Sequence, residues 1–308
     1  MDNQKKEKET KPKLPLFELS DSTMESLLNA GVHFGHRTAK WNPAMRPYIY
    51  TSRGGIHIID LVKSIDKMNE AIEAVYDYSK KGEVLFVGTK TQARDIVREA
   101  AVRSKAHFII NRWPGGFLTN YIAMRKSIKR MNDLINGFQE GIENRTKKEL
   151  MGMKKELERL NLLYGGVKQF NKRPACLVVV DVKKSRIAIR EAHMMKIPVI
   201  AIVDTNASPE NIDHVIPAND DSIKSIELII NRLADTILLS NEGKGVEYIP
   251  VDFEQVEDSI QNMTRILEER KSSQPAYQGQ QRSKSGPRVV RVSREQSKKF
   301  AKSVGQKK

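Results

Sequence analysis

The chain has 308 residues, with 53 Lys plus Arg against 38 Asp plus Glu, a formal net charge of +15, and 39% apolar residues. No stretch approaches the roughly 18 uninterrupted apolar residues that a membrane-spanning helix needs, and the start MDNQKKEKETKPK lacks the apolar core of a secretion signal. We therefore expect a cytoplasmic protein. The single cysteine, Cys176, excludes an internal disulfide and a multi-cysteine zinc site.

The excess positive charge is concentrated at the C-terminal end. Residues 271–308 hold eleven Lys or Arg and one acid, for +10, whereas residues 1–19 carry only +1. A segment this basic and poor in apolar residues cannot bury enough surface to offset its ordering entropy. We predict a flexible extension over 1–19, a folded domain over 20–245, a helix over 246–270 and a disordered tail that binds a polyanion. A merely solubilising tail is the alternative.

A basic and aromatic segment follows the first predicted helix, which spans 22–30 and ends at Gly31. No acidic residue lies between Glu25 and Asp60, and the sequence there reads GVHFGHRTAKWNPAMRPYIYTSRGG. Its glycines and prolines prevent a continuous helix, so we predict an irregular basic loop. Cations bind phosphates while exposed rings stack on unpaired bases, a combination suited to RNA. The predicted RNA contacts in this loop are His36, Arg37, Lys40, Trp41, Arg46 and Arg53.

Two other roles are open to residues of this loop. Its aromatic side chains could simply pin a long loop to the core, and we expect that of Phe34 and Tyr50. His33 and His36 could bind a metal, but two histidines without a clear third ligand fall short of the usual zinc complement. We expect a hydrogen-bonded structural role for both histidines and no bound metal.

The middle of the chain alternates short apolar runs with amphipathic stretches, a pattern typical of an α/β fold. It predicts a doubly wound, flavodoxin- or Rossmann-like parallel sheet of about five strands. The predicted strands are 56–61, 84–87, 107–110, 176–180 and 199–203. Apolar stripes at helical spacing predict helices that face the sheet. They comprise Ile65, Met68, Ile72 and Val75, and then Ile223, Ile226, Ile230, Leu233 and Ile237 behind the capping candidates Asp220 and Asp221.

One connection is too long for a single crossover helix, because 64 residues separate Ile110 from Ala175. Apolar residues there follow heptad spacing in two runs. These are Tyr121, Met124, Ile128, Met131, Ile135 and Phe138, then Leu150, Met153, Leu157, Leu160, Tyr164 and Val167. We predict an inserted antiparallel helical hairpin over 120–168, forming a projecting coiled-coil arm whose basic outer face includes the RNA contacts Arg125 and Lys129. The alternative is a pair of helices lying on the domain.

Two loops at strand ends lie where doubly wound sheets bind ligands. GTKTQAR, which contains Lys90 and Arg94, leads from a strand into a helix, and NRWPGG, which contains Arg112 and Trp113, follows the next strand. GTKTQAR matches neither nucleotide-binding fingerprint, so no cofactor is expected, and Thr89 or Thr91 is expected to cap the helix. We predict that Lys90, Arg94, Arg112 and Trp113 contact RNA.

The acidic residues favour a protein without catalysis. Asp60, Asp181 and Asp204 lie at strand ends, where carboxylates can hold magnesium or act as general bases, but isolated acids there more often cap turns. Neither a nucleophile elbow nor a zinc-protease helix accompanies them, and Cys176 is typical of a small core residue. An enzyme acting on a nucleotide or sugar phosphate remains an alternative by fold analogy, as does a free-standing RNA-binding regulator.

Several ordered blocks are similar to one known family. LLNAGVHFGH over 27–36, followed by WNPAM, resembles the opening signature of the bacterial small-subunit ribosomal protein S2 family. PACLVVVD over 174–181, with Glu191, IPVIAIVDTN and VIPANDDS, resembles its downstream signature, and NRWPGGFLTN lies between them. The resemblance covers roughly residues 22–242.

The resemblance implies a structural ribosomal component without catalysis or a small-molecule substrate. Its fold would be a doubly wound domain with a helical-hairpin arm. It would bind small-subunit ribosomal RNA and neighbouring ribosomal proteins near the junction of the head and the body. In many bacteria the large ribosomal protein S1 is held there, which makes S1 a possible partner of this chain.

Overall fold

The computed structural model describes residues 13–142 and 145–273, which form eight strands and eight α-helices. The strands are β1 (Phe34–Arg37), β2 (Ile49–Arg53), β3 (Ile56–Ile59), β4 (Val84–Val87), β5 (His107–Ile109), β6 (Cys176–Val180), β7 (Val199–Val203) and β8 (His214–Pro217). The helices are α1 (Asp21–Ala30), α2 (Leu61–Ser79), α3 (Arg94–Arg103), α4 (Tyr121–Glu140), α5 (Lys147–Tyr164), α6 (Arg186–Met194), α7 (Ile223–Ser240) and α8 (Phe253–Ser273).

The centre of the fold is a five-stranded parallel sheet, so the predicted α/β class is confirmed. Its strand order is β5-β4-β6-β7-β8. All residues of β4, β6 and β7 are buried, because helices cover both faces and leave no polar side of the sheet. The strand order reverses between β4 and β6, and the carboxyl ends of these strands therefore border the crevice where doubly wound folds place their sites.

A strand is present at 56–59, where 56–61 was predicted, but its predicted place in the parallel sheet was wrong, and the segment before it contains two strands and not only an irregular loop. Residues 56–59 form β3 of a separate antiparallel sheet with the order β1-β3-β2. Gly54 and Gly55 have φ angles of 60° and 75°, which suits a two-residue hairpin between β2 and β3. The fifth parallel strand is β8, an edge strand beside β7 with only half its residues buried. Its apolar stretch was too short to predict a strand from the sequence.

Helices cover the two faces of the parallel sheet in separate layers. Because alternate strand residues point to opposite sides, Val84 and Phe86 share one core with α1, α2, α3 and α7, while Leu85 and Val87 share the other with α4, α5, α6 and α8. The predicted stripes on α2 and α7 are buried, apart from Ile223.

The predicted helix caps were partly wrong. Ser222 caps α7 by accepting a hydrogen bond from the Ser225 amide, so Asp220 and Asp221 do not cap it. Neither Thr89 nor Thr91 caps α3, whose first residue follows a short 3-10 turn without a side-chain cap. Asp60 does cap α2, by accepting hydrogen bonds from the Val62 and Lys63 amides.

The two helices predicted for the insertion are present as α4 and α5. Their seam residues, together with Leu134, are buried or partly buried in the core that they share with the sheet. Thr146 and Glu149 form a capping box at the start of α5. Helix α8 contributes buried Val256 and Ile260 to the same core. A third helix therefore packs with α4 and α5, which the prediction did not include.

The chain divides into two units after Leu267. In the second unit, the described residues are 268–273, and they continue α8. The predicted tail over 271–308 and most of the predicted extension over 1–19 lie outside the described residues. Across 13–142 and 145–273, no helix has both the length and the apolar character needed to cross a bilayer.

Candidate nucleic-acid interface and buried charge cluster

The antiparallel sheet and its flanking turns present a basic surface. Arg37 ends β1 and Arg53 ends β2, while Lys40 and Arg46 lie in 3-10 turns between these strands. All four side chains are exposed. Within the described residues, none of them forms an ion pair with a carboxylate, and the sequence from 26 to 59 offers no neighbouring acid to pair with them. These cations are therefore available to a polyanion.

The aromatic residues of this surface are placed differently from the prediction. Phe34 is 48% exposed and Tyr50 is 75% exposed, so the expectation that they pin a loop to the core was wrong. The fully buried Met45 supplies the apolar anchor instead. Trp41 is half-buried, and its ring centroid lies 5.1 Å from that of His57. Exposed rings beside exposed cations are the arrangement that stacks on unpaired bases.

Thr205, just beyond β7, fastens this basic surface to the parallel sheet. Its hydroxyl accepts a hydrogen bond from the His36 amide at 2.8 Å, and its carbonyl accepts one from the Asn42 amide at 2.8 Å. A Cβ on Gly35 would lie only 2.6 Å from the Thr205 methyl. Glycine at position 35 therefore permits the two sheets to approach closely.

Lys90 lies in a cluster of carboxylates at the carboxyl ends of the parallel strands. It is 6% exposed, and its Nζ lies 2.7 Å from Asp220 Oδ1, 2.6 Å from Asp221 Oδ1 and 3.9 Å from Asp181 Oδ2. Asp181 directly follows β6 and has a φ angle of 66°. The predicted RNA contact at Lys90 is thus a buried ion pair, because burial without a partner would cost too much for an ammonium group.

The same charges shift the pKa values in this cluster. Burial lowers the pKa of Lys90, but the hydrogen bonds to Asp220 and Asp221 outweigh it and leave this pKa above its usual value. Burial, aided by the charge of Asp204, raises the pKa of Asp220 to about 6. For Asp221, burial raises the pKa, yet the hydrogen bond from Lys90 prevails and lowers it.

His36 belongs to this cluster and is not a free surface cation. Its Nδ1 lies 3.0 Å from Asp204 Oδ2, and its Nε2 lies 3.3 Å from Asp221 Oδ2. The hydrogen bond to Asp204 raises the pKa of His36. These contacts agree with the predicted hydrogen-bonded structural role of His36. They also join β1 to the end of the parallel sheet.

The cluster has the composition of a divalent-cation site. One ligand atom from each of His36, Asp204, Asp220 and Asp221 lies within 4.8 Å of the others, and imidazole with carboxylates suits several divalent metals. Lys90 already donates hydrogen bonds to two of these carboxylates, so a cation bound here would share them with the ammonium group.

The second strand-end loop is held by a carboxylate from α6. Glu191, 6% exposed, accepts hydrogen bonds from the Trp113 indole at 3.1 Å, the Gly116 amide at 2.7 Å and the Leu118 amide at 3.0 Å. Trp113 is therefore buried, while Arg112 beside it is exposed. Arg94, at the start of α3, is half-buried.

The remaining predicted contacts lie on α4. Arg125 and Lys129 are exposed and line a groove of about 490 Å³ with Lys126, Lys168 and the ring of Tyr121. The Arg125 guanidinium lies 5.8 Å from the centroid of that ring. This groove is basic but lies apart in sequence from the antiparallel sheet.

Sequence reasoning missed the residues that assemble these surfaces. Thr205, Asp220, Asp221 and Glu191 act through partners far away along the chain, such as His36 and Lys90. The only local signal was the position of these residues after β7, after β8 and on α6. That signal shows where a polar side chain can act and leaves its partner unspecified.

The family comparison agrees with the blocks identified in the sequence. The model of the family described as ribosomal protein S2 matches residues 27–240. The matched region begins within α1, ends with α7 and includes both sheets and the hairpin.

Proposed function

The chain belongs to the ribosomal protein S2 family, a family with a structural role in the small ribosomal subunit, and we propose that it binds small-subunit ribosomal RNA through the antiparallel sheet. The observation that carries this proposal is the set of exposed cations Arg37, Lys40, Arg46 and Arg53 on a surface without acidic residues. Lysine and arginine displace counterions condensed on phosphates, which gives such a surface its affinity for RNA.

The anchoring contacts favour a preformed binding surface. Thr205 and the ion pairs of His36 hold β1 against the parallel sheet, so the cations need little ordering when RNA arrives. Phe34 and Tyr50 add exposed rings for stacking. Lys90 and Trp113 are not part of this proposed surface, because their side chains are buried.

We extend the proposal to the hairpin and to protein partners. The helices α4 and α5 act as a coiled-coil arm whose exposed Arg125 and Lys129 contact RNA, with Arg94 and Arg112 as further contacts. The protein occupies the ribosome in the cytoplasm, near the junction of the head and the body of the small subunit, and contacts neighbouring ribosomal proteins, with S1 as a possible one. It carries out no catalysis in this role.

Co-sedimentation with small subunits tests the proposal. The purified full-length chain should enter subunits that lack it, and its affinity for isolated small-subunit ribosomal RNA should fall steeply as salt rises. Failure to enter subunits, or RNA binding insensitive to salt, would contradict it. Saturable nucleotide binding that is lost in Asp204→Ala would favour the enzyme alternative, and a cellular pool away from ribosomes would favour the regulator.

A further inference from the structure

Helix α6 and its flanking residues form a second basic surface that the predictions did not include. Between Val182 and Val203 the only acidic residue is Glu191, and it is buried and hydrogen-bonded to the loop after β5. The exposed residues in this stretch include five cations. These cations are Lys183, Lys184, Arg186, Arg190 and Lys196.

The geometry of α6 aligns two of these cations on one side. Arg186 and Arg190 are four residues apart in the helix, so their side chains lie on the same face about 6 Å apart along the axis. Lys183 precedes them in the turn that leads into α6. Within the described residues, no carboxylate forms an ion pair with these three side chains. Lys184 differs, because its charge helps lower the pKa of Asp221.

The inner side of α6 keeps this basic face in place. Ala188, Ile189 and Ala192 are buried against the sheet, and Glu191 joins the helix to the loop that carries exposed Arg112. The position of the basic face is fixed by the core, so little conformational entropy is lost when a ligand binds.

We propose that Lys183, Arg186 and Arg190 form a second contact with the phosphate backbone of small-subunit ribosomal RNA, separate from the antiparallel sheet. This inference rests on the proposed function. Charge complementarity favours a phosphate backbone as the occupant, because within the described residues these three cations have no carboxylate partner on the protein and cations contact phosphates directly. Flanking Ile187 and Met194, 49% and 66% exposed, would then lie against riboses.

The salt dependence of RNA binding tests the proposal in the full-length chain. In the triple variant Lys183→Gln, Arg186→Gln and Arg190→Gln, the slope of log Kobs against log salt should become shallower by about two to three, because each lost phosphate contact removes roughly 0.9. The probe is protein-free small-subunit ribosomal RNA, titrated by filter binding at several salt concentrations.

A matched control removes three cations from the opposite face of the sheet. Lys67, Arg98 and Lys224 project from α2, α3 and α7, and their replacement by Gln changes the net charge equally. This control should retain the wild-type slope. The variant Arg186→Lys with Arg190→Lys should also retain it, because both charges remain; thermal melts of all variants identify any loss of folding.

The outcomes separate this inference from the proposed function. If the wild-type chain binds RNA without salt dependence, the proposed function fails. If wild-type binding is salt-dependent but the α6 triple variant and the control have equal slopes, the proposed function stands and the α6 contact is overturned. A triple variant that binds RNA normally yet no longer enters small subunits would also overturn it, and would indicate a protein partner on α6.

Discussion

The indole N–H of Trp113 donates a hydrogen bond to the carboxylate of Glu191, with Nε1 and Oε1 3.1 Å apart, and joins the loop after β5 to α6. The amides of Gly116 and Leu118 donate to the same carboxylate. Glu191 is therefore a buried acceptor for several donors of this loop, among them the buried Trp113 indole and Leu118 amide. These hydrogen bonds satisfy the indole N–H of Trp113 and so permit its burial, while Arg112 beside it is exposed.

Replacing Glu191 by Ala should destabilise the fold by about 3 kcal/mol, because it removes charge-assisted hydrogen bonds and leaves buried donors unpaired. The measurement is the free energy of unfolding in urea, compared with the exposed Glu227→Ala, which should change it by less than about 0.5 kcal/mol. Similar values for the two variants would show that the loop does not depend on Glu191.

Replacing Lys90 by Met should lower the free energy of unfolding by about 3 to 5 kcal/mol, because the buried Asp220 would lose the ammonium group that compensates its charge. The double variant Lys90→Met with Asp220→Asn should regain part of this loss. Lys67→Met is the control, since the pair of Lys67 and Glu70 is exposed and should contribute less than about 1 kcal/mol. Equal costs for both lysines, measured by urea unfolding, would contradict the prediction.

Glu83 should give the fold a stability that disappears in acid. A hydrogen bond with His107 lowers the pKa of the Glu83 carboxyl below its ordinary value of 4.5, so the ionised form is favoured in the folded state. This contribution is complete above pH 4.5 and is lost as pH falls through the lowered pKa. The gap in unfolding free energy between wild type and Glu83→Gln should therefore shrink from pH 6 to pH 3; a constant gap would refute this assignment.

Gly35→Ala should weaken both folding and RNA binding. The added methyl group would meet the side chain of Thr205 at 2.6 Å and the His57 carbonyl at 3.2 Å, so β1 would have to move away from the parallel sheet. Gly115→Ala is the control, because a Cβ there meets nothing within 4 Å. We expect a loss of about 1 to 3 kcal/mol for Gly35→Ala alone, with weaker RNA binding in a filter assay. An unchanged melting temperature and affinity would show that β1 adapts.

Replacing both Arg37 and Trp41 by Ala should reduce incorporation into small subunits more than removing residues 271–308. Strand β1 holds Arg37, and packing against the His57 ring holds Trp41, so their loss removes contacts that need little ordering. Quantitative co-sedimentation of the two variants with deficient subunits measures the ranking. Normal incorporation of the double variant, together with failure of the truncated chain, would reverse it.

The hairpin illustrates what periodicity can predict. Leu150, Leu157 and Leu160 recur at heptad spacing, and all three are buried. The sequence did not predict which residues pack against these leucines. Helix α8 lies about a hundred residues further along the chain and adds Val256 to the same core. Periodicity identifies the buried face of a helix, while the identity of what covers it depends on the whole fold.

The charged residues show a sharper contrast. Arg37 and Lys90 lie in similar local contexts, each beside a strand end, yet Arg37 is exposed and Lys90 is 6% exposed. The acids nearest to Lys90 in the sequence, Glu83 and Asp95, pair with His107 and Arg98 instead, so they do not indicate its partners. Asp220 and Asp221 follow it by about 130 residues, and only the parallel pairing of β4, β6, β7 and β8 brings them to the same edge.

The amino-acid sequence by itself determined the α/β class, the first helix, the two helices of the insertion and the acid-free basic segment, because these features follow from local periodicity and composition. Tertiary structure alone decided that residues 56–59 join an antiparallel sheet, that Phe34 and Tyr50 face outward, and that Lys90 is paired. The physical reason is that burial and ion pairing depend on which distant residues share a sheet edge, and strand order sets that arrangement.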